Sequence, residues 1–186
     1  TRKQIEDAWL AKGFKKQRHQ ELIYPGSCRD RQDVVPPSAW RLGVEDATLR
    51  ESVGDFVLKR ADGIFTYQLA VVVDDALQGI THVVRGADLL DNTPRQIYLQ
   101  QCLVYPTPLY LHLPLVLDEN QEKLSKQTLA LAIQTNSSEN VLKALRGAGL
   151  HLGLTDSTLF NQSDLSVSQW LERAIQNYKG MIFRAY

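Results

Sequence analysis

The sequence has few of the features that mark secreted or membrane proteins. Cysteine is scarce: Cys28 and Cys102 are the two present, and their unrelated contexts argue against a disulfide framework. No run approaches the roughly 18 apolar residues of a membrane-spanning helix, and no basic-then-apolar leader opens the chain. We therefore expect a cytoplasmic protein that does not bind membranes.

Neither sign of charge is in excess, because Lys+Arg and Asp+Glu both total 21 among 186 residues. The neutral total does not point to nucleic acid, although a basic face can lie hidden within it. The hydrophobic fraction of 44% is typical of a globular protein of one or two domains. The chain opens Thr1-Arg2-Lys3-Gln4 without Met and with a helical composition, which predicts an internal piece of a longer protein.

Composition divides the chain into three segments: residues 1–54, 55–127 and 128–186. The first predicts a subdomain with little core of its own. Apolar strands alternate with helices in the second, which predicts an α/β sheet buried on both faces. Its apolar run at 69–75 fits a buried strand or a buried helix equally well. The third predicts a short helical segment.

The local elements follow from turn and capping signals. We predict a loose helix over 1–22, a turn at 24–28, and strands at 39–44, 56–60, 64–67, 82–86 and 113–117. A helix capped by Thr93 is predicted over 94–103, and one capped by Ser138 over 139–148, where Gly149 stops it. The capping box Ser166-Val167-Ser168-Gln169 opens a last helix that runs to Tyr178.

The run Lys123-Leu124-Ser125-Lys126-Gln127 places two ammonium groups three residues apart after an apolar run. Two cations on a loop can follow the charge that develops when a carboxylate attacks the α-phosphate of ATP. Taken alone, two lysines at this spacing more often belong to a solvated surface loop.

In its context the run resembles the KMSKS motif of class I aminoacyl-tRNA synthetases. YQLAVVVDD at 67–75, GITHVVRGADLL at 79–90, NTPRQ at 92–96 and HLPL at 112–115 resemble the second catalytic half of glutamyl-tRNA synthetases, in order and with matching spacing over 55–127. The resemblance implies an α/β fold: the second half of a Rossmann-type catalytic domain, with an inserted connective, zinc-type subdomain over 1–54.

The resemblance also implies roles for four residues. Tyr67 and Arg85 fall where the family binds glutamate, and a guanidinium can pair with a carboxylate in bidentate fashion. Lys126 is expected on ATP, which binds with Mg²⁺, and Lys123 is expected in support. Without the family, Tyr67 would be read as a core aromatic and Arg85 as the ion-pair partner of Asp88 or another nearby acid.

One branch of the family holds zinc with two closely spaced cysteines, a tyrosine and a cysteine four residues later. Tyr24 and Cys28 match the last two, and we expect the first two before Thr1, so the Zn²⁺ site is incomplete here. Taken alone, a single cysteine in a turn is structural or incidental, because structural zinc normally takes four ligands.

Other polar residues receive bland interpretations. Asp74 and Asp75 end an apolar run, and adjacent residues of a strand point to opposite faces, which disfavours a shared metal site. His82 and His112 lie beside apolar runs and are expected to be packed rather than catalytic. Asp88 is expected to cap local structure or orient Arg85.

Gln127 and the short segment after it favour the branch of the family that modifies queuosine. The resemblance then implies ATP-dependent activation of glutamate without tRNA, and its transfer to the queuosine base in the anticodon of tRNA(Asp), by a monomer. Two alternatives remain: a fragment of a discriminating enzyme that charges tRNA(Glu), and a non-catalytic paralogue that binds tRNA. Because the half that carries the HIGH-type motif is missing, we expect negligible activation by this chain alone.

Overall fold

The computed structural model describes residues 2–11, 13, 22–124, 132–162 and 164–178. The helices are α1 Arg2–Ala11, α2 Ala47–Ser52, α3 Tyr67–Leu77, α4 Thr93–Cys102, α5 Ser138–His151, α6 Ser157–Asn161 and α7 Val167–Asn177, with a 3-10 helix at Ala87–Asn92. The strands are β1 Trp40–Leu42, β2 Phe56–Lys59, β3 His82–Gly86 and β4 Leu109–Leu113. None of the described helices is long and apolar enough to span a membrane.

The chain divides into two compact units. The first contains the described residues up to Thr81 together with Asp91–Pro108. The second contains His82–Leu90 and the described residues from Leu109 onward. The three-segment division expected from composition stays a prediction.

The first unit has an antiparallel pair of strands, β1 and β2, packed with α3 and α4 over one hydrophobic core. Burying an aliphatic or Phe side chain of this kind contributes roughly 1.5–3 kcal/mol each. The core residues are Val44, Val53, Phe56, Val72 and Leu99.

Buried Asp55 connects the segment before β2 to this core. Its Oδ1 accepts a hydrogen bond from the Val44 amide at 2.9 Å and lies 3.6 Å from Nη1 of Arg29. The carbonyl of Val44 accepts hydrogen bonds from Arg29 and Arg50 at 3.0 and 2.7 Å. The buried Asp55 carboxylate is tolerated because the Val44 amide and the Arg29 guanidinium compensate for its lost hydration.

The second unit contains the parallel pair β3–β4 and a separate helical core formed by α5, α6 and α7. Parallel neighbours require a crossover connection, and the chain between β3 and β4 contains α4. The mixed α/β class is therefore confirmed. The expectation of strands buried on both faces is wrong for β3, because Val84 on one of its faces is exposed.

The structure resolves one open assignment and corrects two strand predictions. The ambiguous apolar run is the helix α3, so the strand argument for Asp74 and Asp75 does not apply. Residues 64–67 form one isolated bridge, Lys59 to Phe65, before α3 begins at Tyr67. The strand predicted at 113–117 lies instead at Leu109–Leu113 (β4), because Pro114 has no backbone N–H with which to continue the pairing.

The helix α5 continues past the glycine that was expected to stop it. Gly149 is buried within the helix, and a Cβ atom there would lie 3.1 Å from Cη2 of Trp170. The helix instead ends before Gly153, which has a φ of +79°, with the Leu154 amide donating to the Gly149 carbonyl at 2.9 Å. The capping box predicted at Ser166 and Gln169 is confirmed.

The helix α4 starts where it was predicted to start, although its cap differs. Thr93 is the first, buried residue of the helix and Asn92 occupies the cap position, without a capping hydrogen bond from its side chain. Pro94 follows in the first turn, where a missing N–H costs nothing.

Candidate active site

The side chain of Arg85 extends from the fourth position of β3. In the parallel register Arg85 lies opposite His112, and Val83 lies opposite Tyr110. Side chains alternate between the two faces of a strand, so Arg85, Tyr110 and His112 share one face. Arg85 is partly buried, whereas Tyr110 is 2% exposed.

Two rings contact the Arg85 guanidinium. Its Nε donates a hydrogen bond to Nε2 of His112 at 3.2 Å, and its Cζ lies 5.0 Å from the centroid of the Tyr110 ring. The two rings are nearly parallel, at 8°, with centroids 6.1 Å apart. The hydrogen bond at Nε orients the guanidinium plane.

The turn after β3 holds Asp88 against the lysine run. Nζ of Lys123 lies 2.5 Å from Oδ2 of Asp88. The ammonium of Lys123 lowers the pKa of the Asp88 carboxyl below its usual range. A Cβ atom on Gly86 would overlap Oδ1 of Asp88, so glycine at this position is what allows the carboxylate to fold back. Asp88 was expected to cap or to orient Arg85, and the structure instead pairs it with Lys123.

A tight hairpin places Lys123. The Leu124 amide donates to the Val116 carbonyl at 2.9 Å, and the Asp118 amide donates to the Glu122 carbonyl at 2.8 Å. The Asp118 side chain closes the turn by accepting from the amide of Glu122 at 2.9 Å. Residues 118–122 form the polar turn of this hairpin. The rest of the lysine run, including Lys126, lies outside the described residues.

Tyr67 is the first residue of α3, in the first unit, and is 56% exposed. The reading of Tyr67 as a core aromatic is therefore wrong. Thr66, just before it, donates from its hydroxyl to the Val57 carbonyl at 2.8 Å. The next residue, Gln68, hydrogen-bonds Asn92 at 2.6 Å and Gln96 at 3.0 Å. These bonds hold the first turn of α3 in place while leaving the Tyr67 side chain exposed.

The structure brings Tyr24 and Cys28 together. The Cys28 amide donates to the Tyr24 hydroxyl at 2.7 Å, and the Arg41 guanidinium carbon lies 4.0 Å from the Tyr24 ring centroid. A hydrogen bond with the Tyr24 side chain lowers the pKa of the Cys28 thiol, and Arg31 adds to this effect. Partial burial raises the pKa of Tyr24, and so does its interaction with the Cys28 side chain, while the hydrogen bond from the Cys28 amide acts in the opposite direction.

The described residues do not by themselves fit a zinc ion. Among them no group of three or more His, Cys, Asp or Glu side chains is arranged to hold a metal. Tyr24 and Cys28 supply two donor groups, fewer than the four that structural zinc normally takes. The inserted zinc subdomain therefore stays a prediction.

Comparison with known proteins gives the family. Residues 36–177 match the family described as tRNA synthetases class I (E and Q), catalytic domain. The chain belongs to this family.

Curated relatives place the chain close to one branch. Each of the following is named Glutamyl-Q tRNA(Asp) synthetase. The protein of Burkholderia cenocepacia is 54% identical over 83% of this chain and 55% of its own length. That of Cupriavidus metallidurans is 47% identical over 97% of this chain and 63% of its own length. That of Ralstonia nicotianae is 52% identical over 83% of this chain and 54% of its own length. This chain thus spans little more than half the length of the curated relatives it matches.

Sequence reasoning missed the partners of Arg85. His112 was expected to be packed, and it contacts the guanidinium, whereas Tyr110 was not singled out at all. The alternation Leu-Tyr-Leu-His-Leu at 109–113 is the signal that could have identified both as one face of a strand.

Proposed function

We propose that this chain is part of an enzyme that activates glutamate with ATP and transfers it to the queuosine base in the anticodon of tRNA(Asp). The observation that carries the proposal is the guanidinium of Arg85, oriented by His112 near the carboxyl end of a parallel strand, in a chain of the class I (E and Q) family. Ligands of α/β sheets bind beyond the carboxyl ends of the strands.

The chemistry divides between recognition and charge stabilisation. Arg85 pairs with the side-chain carboxylate of glutamate, and Tyr67 hydrogen-bonds the same substrate. The α-carboxylate of glutamate attacks the α-phosphate of ATP, pyrophosphate leaves, and glutamyl-adenylate forms. Lys126, supported by Lys123, neutralises the charge that develops on the phosphate groups, while Mg²⁺ accompanies ATP.

The ion pair between Lys123 and Asp88 suggests how these two lysines differ in role. Because Asp88 already balances its charge, Lys123 anchors the start of the lysine run. Lys126 then acts on the phosphates.

The choice of acceptor rests on the relatives. Three proteins that are 47–54% identical to this chain carry the name Glutamyl-Q tRNA(Asp) synthetase. That similarity supports queuosine-bearing tRNA(Asp) over tRNA(Glu).

Zinc belongs to the same proposal. We expect Tyr24 and Cys28 to supply two of its ligands, with the lowered pKa of Cys28 favouring the thiolate that binds metal. Because the other two ligands are expected before Thr1, the test is metal analysis of the chimera described in the next paragraph, purified without chelator. Stoichiometric zinc that is lost in Cys28→Ser supports the site, and the absence of zinc contradicts it.

The decisive experiment compares the 186-residue chain with a chimera that joins the preceding catalytic half of the Burkholderia cenocepacia relative to Thr1. We expect glutamate-dependent ATP–pyrophosphate exchange from the chimera and negligible exchange from the chain alone. Radiolabelled glutamate should then appear on queuosine-containing tRNA(Asp), with unmodified tRNA(Asp) and tRNA(Glu) as controls. Labelling of tRNA(Glu) would contradict the proposed acceptor.

Substitution of Arg85 tests its role within the chimera. Arg85→Ala should raise the KM for glutamate far more than the KM for ATP, because of the two substrates the guanidinium contacts only glutamate in the proposed complex. Arg173→Ala, in α7, is a matched control that should change neither KM. Equal effects of Arg85→Ala on both substrates would indicate a structural role instead.

A further inference from the structure

Three residues of the first unit lie side by side across adjacent backbone segments. Trp40 of β1 is the register partner of Lys59 in β2, and Phe65 forms a bridge to Lys59 from the other side. Directly opposed residues of paired strands share a face. Trp40, Lys59 and Phe65 therefore form one row, with the lysine in the middle.

Both rings of this row are exposed. Trp40 is 65% exposed and Phe65 is 58% exposed, although aromatic side chains of this size normally contribute to cores or interfaces. Nζ of Lys59 lies 5.2 Å from the centroid of each ring, within the range of a cation–π contact. Across the described parts of the chain, no carboxylate pairs with Lys59. The row thus presents two exposed aromatic rings around a lysine with which no acid of the described residues pairs.

We propose that Trp40, Lys59 and Phe65 form a surface on which unpaired nucleotides of an RNA substrate stack. Each base supplies a flat π face for a ring, and the phosphate between two bases carries the charge that Lys59 attracts. Paired bases hide their faces within a helix, so the surface should prefer single-stranded RNA over duplex RNA. A protein partner suits the row less well, because a charged lysine stands at its centre and charged residues are depleted from interface cores.

The row lies close in sequence to Tyr67, which connects it to the proposed function. The identity of the RNA rests on that proposed function. Phe65 precedes Tyr67 by two residues, and the Thr66 between them is held by hydrogen bonds to β2. A nucleotide that receives glutamate must approach the residues that bind glutamate. The row would then hold unpaired nucleotides next to the acceptor nucleotide. In an anticodon loop such unpaired nucleotides lie on both sides of the acceptor.

Binding of labelled RNA to the 186-residue chain tests the surface directly. The probes are a fluorescein-labelled oligouridylate of about ten nucleotides, a duplex RNA of equal length and a tRNA(Asp) transcript, followed by fluorescence anisotropy. We expect Trp40→Ala and Phe65→Ala each to weaken binding of oligouridylate and tRNA about tenfold. Lys59→Met should weaken it less and flatten its dependence on salt, because one phosphate contact is lost.

Matched variants separate stacking from loss of fold. Trp40→Phe keeps an aromatic face and should bind within about threefold of the wild-type chain. Leu77→Ala and Lys143→Met remove an exposed apolar and an exposed basic side chain elsewhere and should have no effect. Oligouridylate should also quench tryptophan fluorescence in the wild-type chain and fail to do so in Trp40→Phe, which identifies the ring involved.

The outcomes divide cleanly. Unchanged RNA affinity in both Trp40→Ala and Phe65→Ala would overturn the proposed stacking surface. Equal affinity for duplex and single-stranded RNA would overturn it as well. If these variants lose RNA while the chimera fails to label queuosine-containing tRNA(Asp), the surface stands and the proposed acceptor fails. If the chimera labels that tRNA while the variants bind RNA normally, the proposed function stands and the surface fails.

Discussion

The Nζ atom of Lys123 lies 2.5 Å from Oδ2 of Asp88, although the two residues are 35 positions apart. Asp88 follows β3, the strand that carries Arg85, and Lys123 begins the lysine run. One ion pair therefore connects the strand that bears the proposed glutamate ligand to the stem of the proposed ATP loop. Gly86 makes this possible, because a side chain there would occupy the space of the Asp88 carboxylate.

The pair between Lys123 and Asp88 predicts a defined pH dependence. The pKa of Asp88 is lowered in the folded state, so the pair stabilises the fold above the unfolded-state pKa and loses this effect as pH falls through the folded-state pKa. Asp88→Asn should lower the free energy of unfolding by roughly 0.2–1 kcal/mol at neutral pH, since both groups are partly exposed. Urea titrations between about pH 2 and pH 7 measure the difference.

A second substitution makes that prediction specific. In a Lys123→Met background, Asp88→Asn should lower the free energy of unfolding much less, because the ion-pair partner of Asp88 is already absent. A cost of Asp88→Asn that persists at low pH, or that is unchanged by Lys123→Met, would contradict the ion-pair explanation.

The contact between His112 and Arg85 predicts a split between the two substrates. In the chimera, His112→Phe should raise the KM for glutamate about tenfold or more while the KM for ATP changes little, because a hydrogen bond to a charged group is lost. His112→Gln keeps an acceptor at similar reach and should recover most of the affinity. Equal losses in both variants would show that the ring is needed for packing rather than for orienting Arg85.

Two glycines of α5 should respond oppositely to alanine. Gly149→Ala places a Cβ atom 3.1–3.2 Å from Trp170 and Leu154, and overpacking of this kind costs about 1–3 kcal/mol. Gly147→Ala meets no atom within 4 Å and should stabilise the helix by about 0.5–1 kcal/mol. Thermal unfolding followed by circular dichroism measures both. Similar changes in the two variants would refute the packing role of Gly149.

The Tyr24 hydroxyl should control the reactivity of Cys28. Its hydrogen bond lowers the pKa of the thiol, so Tyr24→Phe should raise that pKa, reduce the thiolate fraction and slow alkylation by iodoacetamide near neutral pH. Cys102→Ser in both proteins leaves a single thiol to measure, and a chelator prevents protection by metal. Equal alkylation rates would show that the hydroxyl does not act on the thiolate.

Local signals predicted the elements whose stabilising contacts are local. Ser166 and Gln169 satisfy each other across one helical turn, so their capping box is readable from four residues. The composition of His82–Gly86 and the proline after Thr93 likewise predicted β3 and α4 within a residue or two. Local patterns were insufficient where packing decides. The run at 69–75 fits a strand and a helix equally well, and Gly149 was wrongly expected to stop α5 because its packing against Trp170 is not visible in the sequence.

The sequence alone determined the family of this chain and the residue types of its candidate site, because motif spacing is a property of the linear chain. Tertiary structure alone decided the partners. In the folded chain His112, rather than Asp88, contacts Arg85, and Asp88 pairs with Lys123. Trp40, Lys59 and Phe65 are aligned in one exposed row. Strand register and turn geometry bring together residues that are distant in sequence, and no local pattern encodes which of several acids or rings will meet a given cation.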